Sequence, residues 1–141
     1  MPINCKDFLS LANDSLERGD EIGYRNAISR AYYCAFHAIK SAIDFEAPKG
    51  KPTHETLINY LVSANKDEKI PYLKLRSLGY RLAAQRKLRS KSDYQLAETI
   101  CEQEANEFLE STKLFLADIE EFIPLSDVSK PTPQQLANHS Q

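Results

Sequence analysis

The clearest pattern in the chain is an apolar repeat in its first third. No Gly or Pro interrupts the segment from Tyr24 to Ala47, and five alanines between positions 27 and 42 follow the same side of it. Spacings of three and four residues place side chains on one face of an α-helix. We therefore predict a long helix from Asp20 to about Phe45 at the centre of the fold. Its apolar face comprises Ile28, Tyr32, Ala35, Ile39 and Ile43.

The segment 47–52 contains two prolines and a glycine and is predicted to be a loop. Capping residues and a proline indicate where three further helices begin. A first helix is expected over 4–18, with Asn4 as its N-cap and Asp7 three residues further on. Thr53 is expected to cap a third, shorter helix. A fourth helix is expected to start at Pro71, because proline fits the first turn, and to run into Leu88.

The end of the fourth helix is expected to be a turn. Ser90 to Tyr94 reads SKSDY, and serine and aspartate compete for backbone hydrogen bonds within a helix. A last long helix is expected from about Ala97 to Phe122, where Pro124 follows. These elements predict an all-α protein: an up-and-down bundle of four main helices plus a shorter one over residues 1–123. The segment 124–141, rich in proline and polar residues, is predicted to be a flexible tail.

The charge and cysteine content of this 141-residue chain bear on its cellular location and on its binding partners. Its net charge is −2, and it has neither a signal-like start nor an apolar run that could span a membrane. We expect a cytoplasmic protein without a membrane partner, whose three cysteines are buried free thiols. The charges are nevertheless segregated, because 69–91 contains bases and no acid, whereas 98–121 is strongly acidic.

Two motifs carry a resemblance to a known family. They are SRAYYCAFH, from Ser29 to His37, and LRSKSDY, from Leu88 to Tyr94, with a His-bearing helix between them. Together and in this order they resemble the HEPN superfamily, in particular its small stand-alone members, over roughly residues 4–122. This resemblance implies a helical bundle that dimerises.

The resemblance also implies two classes of function. Many members are metal-independent endoribonucleases of toxin–antitoxin and antiphage systems, often paired with a small nucleotidyltransferase antitoxin, whereas others are non-catalytic binding modules. The nuclease motif of the family is an arginine followed, after four to six residues, by a histidine near the start of the final long helix. Here Arg89 matches the arginine, but Tyr94 stands where histidine is expected, so both classes remain open.

Metal-free RNA cleavage needs a base, an acid and a cation that stabilises the charged phosphorane. Arg89 and Arg86 are candidates for binding phosphate, and His37 or His54 for moving protons. Asp93 is a candidate for orienting an arginine, and Tyr94 for donating a hydrogen bond. Arg30 and His37 also satisfy the bare spacing of the motif, on the second helix. Further candidates for binding RNA are Lys87, Lys91 and Tyr33, and no metal or other cofactor is expected.

Each of these residues also has a purely structural interpretation. Arg89 and Asp93 are four residues apart, as in an intrahelical salt bridge. Tyr33 and His37 are more typical of the edge of a core than of a catalytic pair, and His54 of an ordinary surface histidine. The sequence predicts a homodimer in which the segments 86–94 of two subunits lie near the two-fold axis and form one shared cleft.

Overall fold

The computed structural model describes residues 3–122, which form five α-helices and no strand. The all-α fold is therefore confirmed. The prediction of a tail over 124–141 falls outside the described residues. No described helix is both long and apolar enough to cross a membrane. The helices are α1 (Cys5–Glu17), α2 (Glu21–Ala42), α3 (Thr53–Val62), α4 (Tyr72–Tyr94) and α5 (Glu102–Phe122).

Helix α2 lies at the centre of the bundle, as its apolar repeat predicts. It packs against α1, α4 and α5, while α3 packs mainly against α4. Ala27, Ala31 and Ala35 are completely buried, and so is Tyr32. Because alanine carries only a methyl group, these positions let neighbouring helices approach α2 closely. The helix ends at Ala42, slightly earlier than the expected end near Phe45. Just beyond it, Asp44 adopts a positive φ of 51°.

The first two helices begin at side-chain caps. The side-chain oxygen of Asn4 accepts from the backbone N–H groups of Lys6 and Asp7, and the Asp7 carboxylate accepts from the N–H of Asn4 at 2.8 Å. This reciprocal pair confirms Asn4 as the predicted cap. Asp20 caps α2 in the same way by accepting from the N–H of Gly23.

The predicted cap of α3 is wrong. Pro52 occupies the N-cap position without a side-chain hydrogen bond, and Thr53 is the first helical residue. A similar shift by one residue occurs at α4, where Pro71 precedes the first turn and its carbonyl accepts from Lys74 and Leu75. Proline is tolerated at both places because it has no N–H to leave unpaired.

The predicted turn at 90–94 is also wrong, because α4 continues as helix to Tyr94. The Ser92 hydroxyl donates to the carbonyl oxygen of Leu88 at 3.0 Å, so the side chain bonds within the helix. The break between the last two helices comes later, and α5 starts at Glu102 instead of Ala97. There the Glu104 carboxylate accepts from the N–H of Cys101 at 3.2 Å.

The close contact between α3 and α4 depends on a glycine. A Cβ atom at Gly79 would lie 2.7 Å from Cβ of Leu61 and 3.0 Å from the backbone nitrogen of Val62. Any larger side chain would therefore push the two helices apart. The cysteines are free, as expected, but only Cys34 is buried, whereas Cys101 is exposed.

Candidate functional site

The site lies where α2, α3 and the end of α4 meet, and Arg89 is its central residue. Arg89 continues the buried stripe of α4 formed by Leu78, Leu82 and Gln85, yet it carries a charge. Only 9% of it is exposed, and its Nη1 donates to the Asp93 carboxylate at 3.3 Å. The intrahelical ion pair expected from the spacing is therefore present.

Helix α2 adds a second arginine to this pair through a serine. The Ser29 hydroxyl donates to the same Asp93 oxygen at 3.3 Å, and Nη2 of Arg30 donates to the Ser29 hydroxyl oxygen at 3.3 Å. Since Ser29 and Asp93 belong to different helices, their contact fixes α2 against the end of α4. The result is a continuous polar chain that runs from Arg30 through Ser29 and Asp93 to Arg89.

Two tyrosine rings pack against the guanidinium groups. The guanidinium carbon of Arg89 lies 5.2 Å from the ring centre of Tyr32 and 5.5 Å from that of Tyr33. The guanidinium carbon of Arg30 lies 5.0 Å from the Tyr33 ring. Such contacts stabilise a cation that has left water. Tyr33 thus lies between the two arginines.

Helix α3 contributes His54, which is not the surface residue that the sequence suggests. Its Nδ1 lies 2.7 Å from the Tyr32 hydroxyl, and its ring stacks on Phe36 with centroids 3.8 Å apart. Burial, together with the positive charges of Arg86 and Arg89, lowers the pKa of His54 to about 4. Burial also raises the pKa of Tyr32 to about 12. Both side chains are therefore neutral at pH 7.

The other candidates occupy the margins of this cluster. His37 is exposed and stacks on Phe8, with centroids 5.3 Å apart, one turn beyond Tyr33. Burial, and secondarily the charge of Lys40, lowers the pKa of His37. Lys87 lines a groove between α3 and α4 together with Arg86.

Two candidates lie away from the cluster. Tyr94, at the last residue of α4, is 73% exposed. Lys91 points towards α5, where it pairs with Glu104 at 3.6 Å. Sequence reasoning missed Ser29 and Tyr32 as members of the site, although both lie within the SRAYYCAFH motif. Their three-residue spacing on one helix was the available signal.

The cluster carries more positive than negative charge. Arg89 and, through Ser29, Arg30 are linked to one carboxylate, that of Asp93, and the positive charge of Arg86 also acts on the His54 ring. In addition, the buried Nε atoms of Arg30 and Arg89 have no hydrogen-bond partner among residues 3–122. A buried donor without a partner is costly, and an excess of positive charge favours an anion. The geometry therefore suits a phosphate or another oxyanion.

No three His, Cys, Asp or Glu side chains in the described part of the chain come together as a metal site. The comparison with protein families decides the relationship instead: a model of the HEPN domain matches residues 4–122. The chain belongs to the HEPN family. No curated protein and no solved structure matches it.

The arginine cluster of this HEPN domain contains Arg89, the residue that matches the arginine of the family's nuclease motif. Arg89 and Tyr94 both lie in the last two turns of α4, not near the start of the final helix. Because α4 continues as helix through Tyr94, the tyrosine points away from the Arg89 ion pair and into solvent. A histidine does enter this HEPN site, but it is His54 and it comes from α3.

Proposed function

We propose that the arginine cluster binds RNA at a backbone phosphate and that the protein is a metal-independent endoribonuclease. The observation that carries the proposal is the excess of positive charge: Arg30 and Arg89 share the single carboxylate of Asp93, and Arg86 adds a third cation near His54. Guanidinium groups bind phosphate oxygens through paired N–H donors, and they stabilise the extra charge of a phosphorane. This excess of positive charge supports a site of RNA cleavage.

His37 supplies the proton transfers in this proposal, and His54 supplies a hydrogen bond. His37 has a lowered pKa and is exposed, so at pH 7 its neutral imidazole accepts the proton of the attacking 2′-hydroxyl. His54 is held by Tyr32; when the tyrosine hydroxyl donates to Nδ1, the imidazole carries its own hydrogen on Nε2. That N–H then donates a hydrogen bond to the bound phosphate, while the imidazolium formed at His37 returns its proton to the leaving oxygen. Arg89 and Arg30 neutralise the phosphate between the two histidines.

The proposed biological role is that of a toxin in a toxin–antitoxin or antiphage system, with a small nucleotidyltransferase as its antitoxin. Family membership supports this role, and the exposure of Tyr94 at the end of α4 makes its hydroxyl accessible to a partner. Co-expression with a cognate small nucleotidyltransferase should restore growth to cells that the protein arrests. Growth that is unaffected by expression of the protein alone would contradict the role of a toxin.

A second candidate, a non-catalytic interaction and RNA-binding module, is favoured by one observation. Tyr94 occupies the place where the family motif has a histidine. Its side chain is 73% exposed, whereas Arg89 is buried. In this case the cluster binds phosphate, but no group performs the proton transfer. The domain then dimerises and docks a nucleotidyltransferase or a larger defence complex.

Cleavage and binding of a labelled RNA, measured on the same variants with EDTA present, distinguish the candidates. Arg89→Lys should lower cleavage about 100-fold, because the planar fork of donors is lost. His37→Ala should abolish cleavage while leaving RNA affinity unchanged, and Tyr94→Phe should cost less than Arg89→Lys. Arg18→Lys is the matched control, since Arg18 forms an exposed ion pair with Asp20 in the connection between α1 and α2. RNA binding without cleavage would establish the module, and unchanged affinity in Arg89→Ala would refute both candidates.

A further inference from the structure

A second concave surface lies between α4 and α5, beside the face of α4 that carries the arginine cluster. Here α4 and α5 diverge and leave a groove of about 390 Å³, a volume within the range of small-molecule sites. Buried apolar side chains form its floor, and Leu88 stands exposed at its mouth. The floor residues come from α2, the α4–α5 connection and α5: Ile28, Ile100 and Phe108.

The wall of the groove contains an unpaired amide. Gln85 lies on α4, is only 5% exposed, and its Oε1 has no hydrogen-bond partner among residues 3–122. It occupies a position in the helical repeat where Leu78 and Leu82 precede it, so a leucine would suit the core at least as well. A buried acceptor of this kind destabilises a fold unless a donor reaches it. In this groove a bound molecule can supply the donor.

The charges around the groove indicate the sign of that molecule. Arg81 is neutralised by Asp118, at 2.6 Å, and Glu104 is paired with Lys91. Glu107 also lines the groove, but its carboxylate accepts only from the neutral side chain of Gln103, at 3.2 Å. The groove therefore carries one uncompensated negative charge beside an apolar floor and a free acceptor.

We propose that the α4–α5 groove binds an organic cation: an amidinium or guanidinium group attached to an apolar body about the size of one ring. One N–H of the cation donates to Oε1 of Gln85, and its charge faces Glu107. The apolar body covers the floor formed by Ile28 and Phe108. This proposal is independent of RNA binding, because none of the residues that line the groove belongs to the arginine cluster.

Benzamidine is the direct probe. Its binding to the full chain is measured by isothermal titration calorimetry and by ¹H–¹⁵N NMR. The wild type should bind it with shifts at the backbone of Gln85, Leu88 and Phe108. Benzamide, which is neutral and nearly the same shape, should bind about tenfold more weakly, since the charge is lost. Equal affinity for the two compounds, or shifts confined to other surfaces, would overturn the proposal.

Two variants test the assigned contacts. Gln85→Leu should reduce benzamidine affinity about tenfold and leave the fold intact, because leucine fits the surrounding apolar stripe. Glu107→Gln should reduce it about threefold, as expected for a partly screened charge. Glu110→Gln is the control: it removes a carboxylate from the same helix that pairs with Lys113 and does not line the groove. A Gln85→Leu protein with wild-type affinity would refute the role of the amide.

A guanidinium group is also present in the arginine side chains of proteins, so the groove has two candidate sources of ligand. Nα-acetylarginine methylamide, titrated beside benzamidine, distinguishes the two sources. Tighter binding of the arginine derivative assigns the groove to a partner's arginine, whereas tighter binding of benzamidine assigns it to a free organic cation. Failure of both compounds to bind refutes the site.

Discussion

Nη1 of Arg25 lies 2.9 Å from the carbonyl oxygen of Ser92, which connects the start of α2 with the end of α4. The same guanidinium group also donates to the carbonyl oxygens of Gln95 and Glu98, beyond the helix, and its Nε donates to the Glu21 carboxylate. The last carbonyls of a helix have no partners within it. Arg25 thus supplies from α2 the donors that let α4 continue through Asp93.

Replacement of Arg25 should therefore destabilise the protein and disturb the site. Arg25→Lys keeps the charge but cannot reach several carbonyls at once, and we expect a loss of about 2–4 kcal/mol in the free energy of unfolding. Urea unfolding followed by circular dichroism measures it. Arg18→Lys, at an exposed ion pair, should change stability by less than about 0.5 kcal/mol. Equal effects of the two substitutions would show that the Arg25 contacts contribute little.

The stability of the fold should decrease in mild acid because of His54. Its pKa is about 4 in the folded protein, against 6.5 as the ordinary value, so the unfolded chain binds the extra proton between these limits. The contribution of neutral His54 is complete above pH 6.5 and is lost as the pH falls towards 4. We expect a cost of roughly 2 kcal/mol.

Thermal melts of wild type and His54→Gln across this pH range test the assignment. The variant should be less stable at pH 7 and should lose less stability on acidification. His37→Gln is the comparison, since His37 is exposed on α2 and lacks the Tyr32 contact. A wild-type pH profile in His54→Gln would mean that other groups cause the acid sensitivity.

Asp93→Asn should strengthen the binding of RNA. Asp93 is the carboxylate that neutralises part of the arginine cluster, so its removal raises the local positive charge by one. We expect an affinity about threefold to tenfold higher at low salt, and a smaller gain at high salt, measured by fluorescence anisotropy. Asp67→Asn, in the loop before α4, is the charge-matched control. A weaker affinity would show instead that Asp93 acts by orienting Arg89.

Gly79→Ala should destabilise the protein although alanine is the better helix former. The methyl group would meet Leu61 and the backbone of Val62 at 2.7–3.0 Å, so α3 has to move away from α4. We expect a net loss of about 1–2 kcal/mol once the gain in helix propensity is subtracted. Ser77→Ala, at an exposed position of the same helix, should be neutral or slightly stabilising. A stabilised Gly79→Ala variant would indicate that the two helices adjust without strain.

The proposed homodimer should appear in light scattering at micromolar concentration as a particle of twice the chain's mass. The alanine stripe of α2 does not supply the apolar surface for this dimer, because Ala27, Ala31 and Ala35 are buried within its own bundle. That surface lies on α4 and α5, where Leu88 and Leu114 are exposed. Leu88→Lys should weaken the dimer if the ends of α4 meet at the two-fold axis. A monomer over the whole concentration range would contradict the shared cleft.

Local chemistry explains which parts of the fold the sequence could predict. The α2 repeat and the cap at Asn4 depend on neighbours within the same helix, and both were read correctly. The turn predicted at the end of α4 is wrong, because Arg25 stabilises that end of the helix. Arg25 lies 67 residues from Ser92 in the sequence. No local pattern reveals a partner at such a distance.

In the candidate site, too, contacts within one helix could be predicted and contacts between helices could not. The ion pair of Arg89 with Asp93 follows from their spacing on one helix, whereas the contact of His54 with Tyr32 depends on how α3 is placed by two loops. The motif SRAYYCAFH contains Ser29 and Tyr32, but only the packing of α4 against α2 shows that Ser29 faces Asp93 and that Tyr32 packs on Arg89. The sequence thus located both arginines, Asp93 and Tyr33, and missed Ser29 and Tyr32.

The position of α3 also has a consequence for the dynamics of the protein. It is bounded by loops on both sides and packs mainly against α4, whereas α2 is enclosed by three helices. Local opening of the chain should therefore begin at α3, and its amide hydrogens should exchange with solvent sooner than those of α2. Each opening would carry His54 away from Tyr32. The histidine would leave the arginine cluster and return to it, while the arginines themselves stay in place.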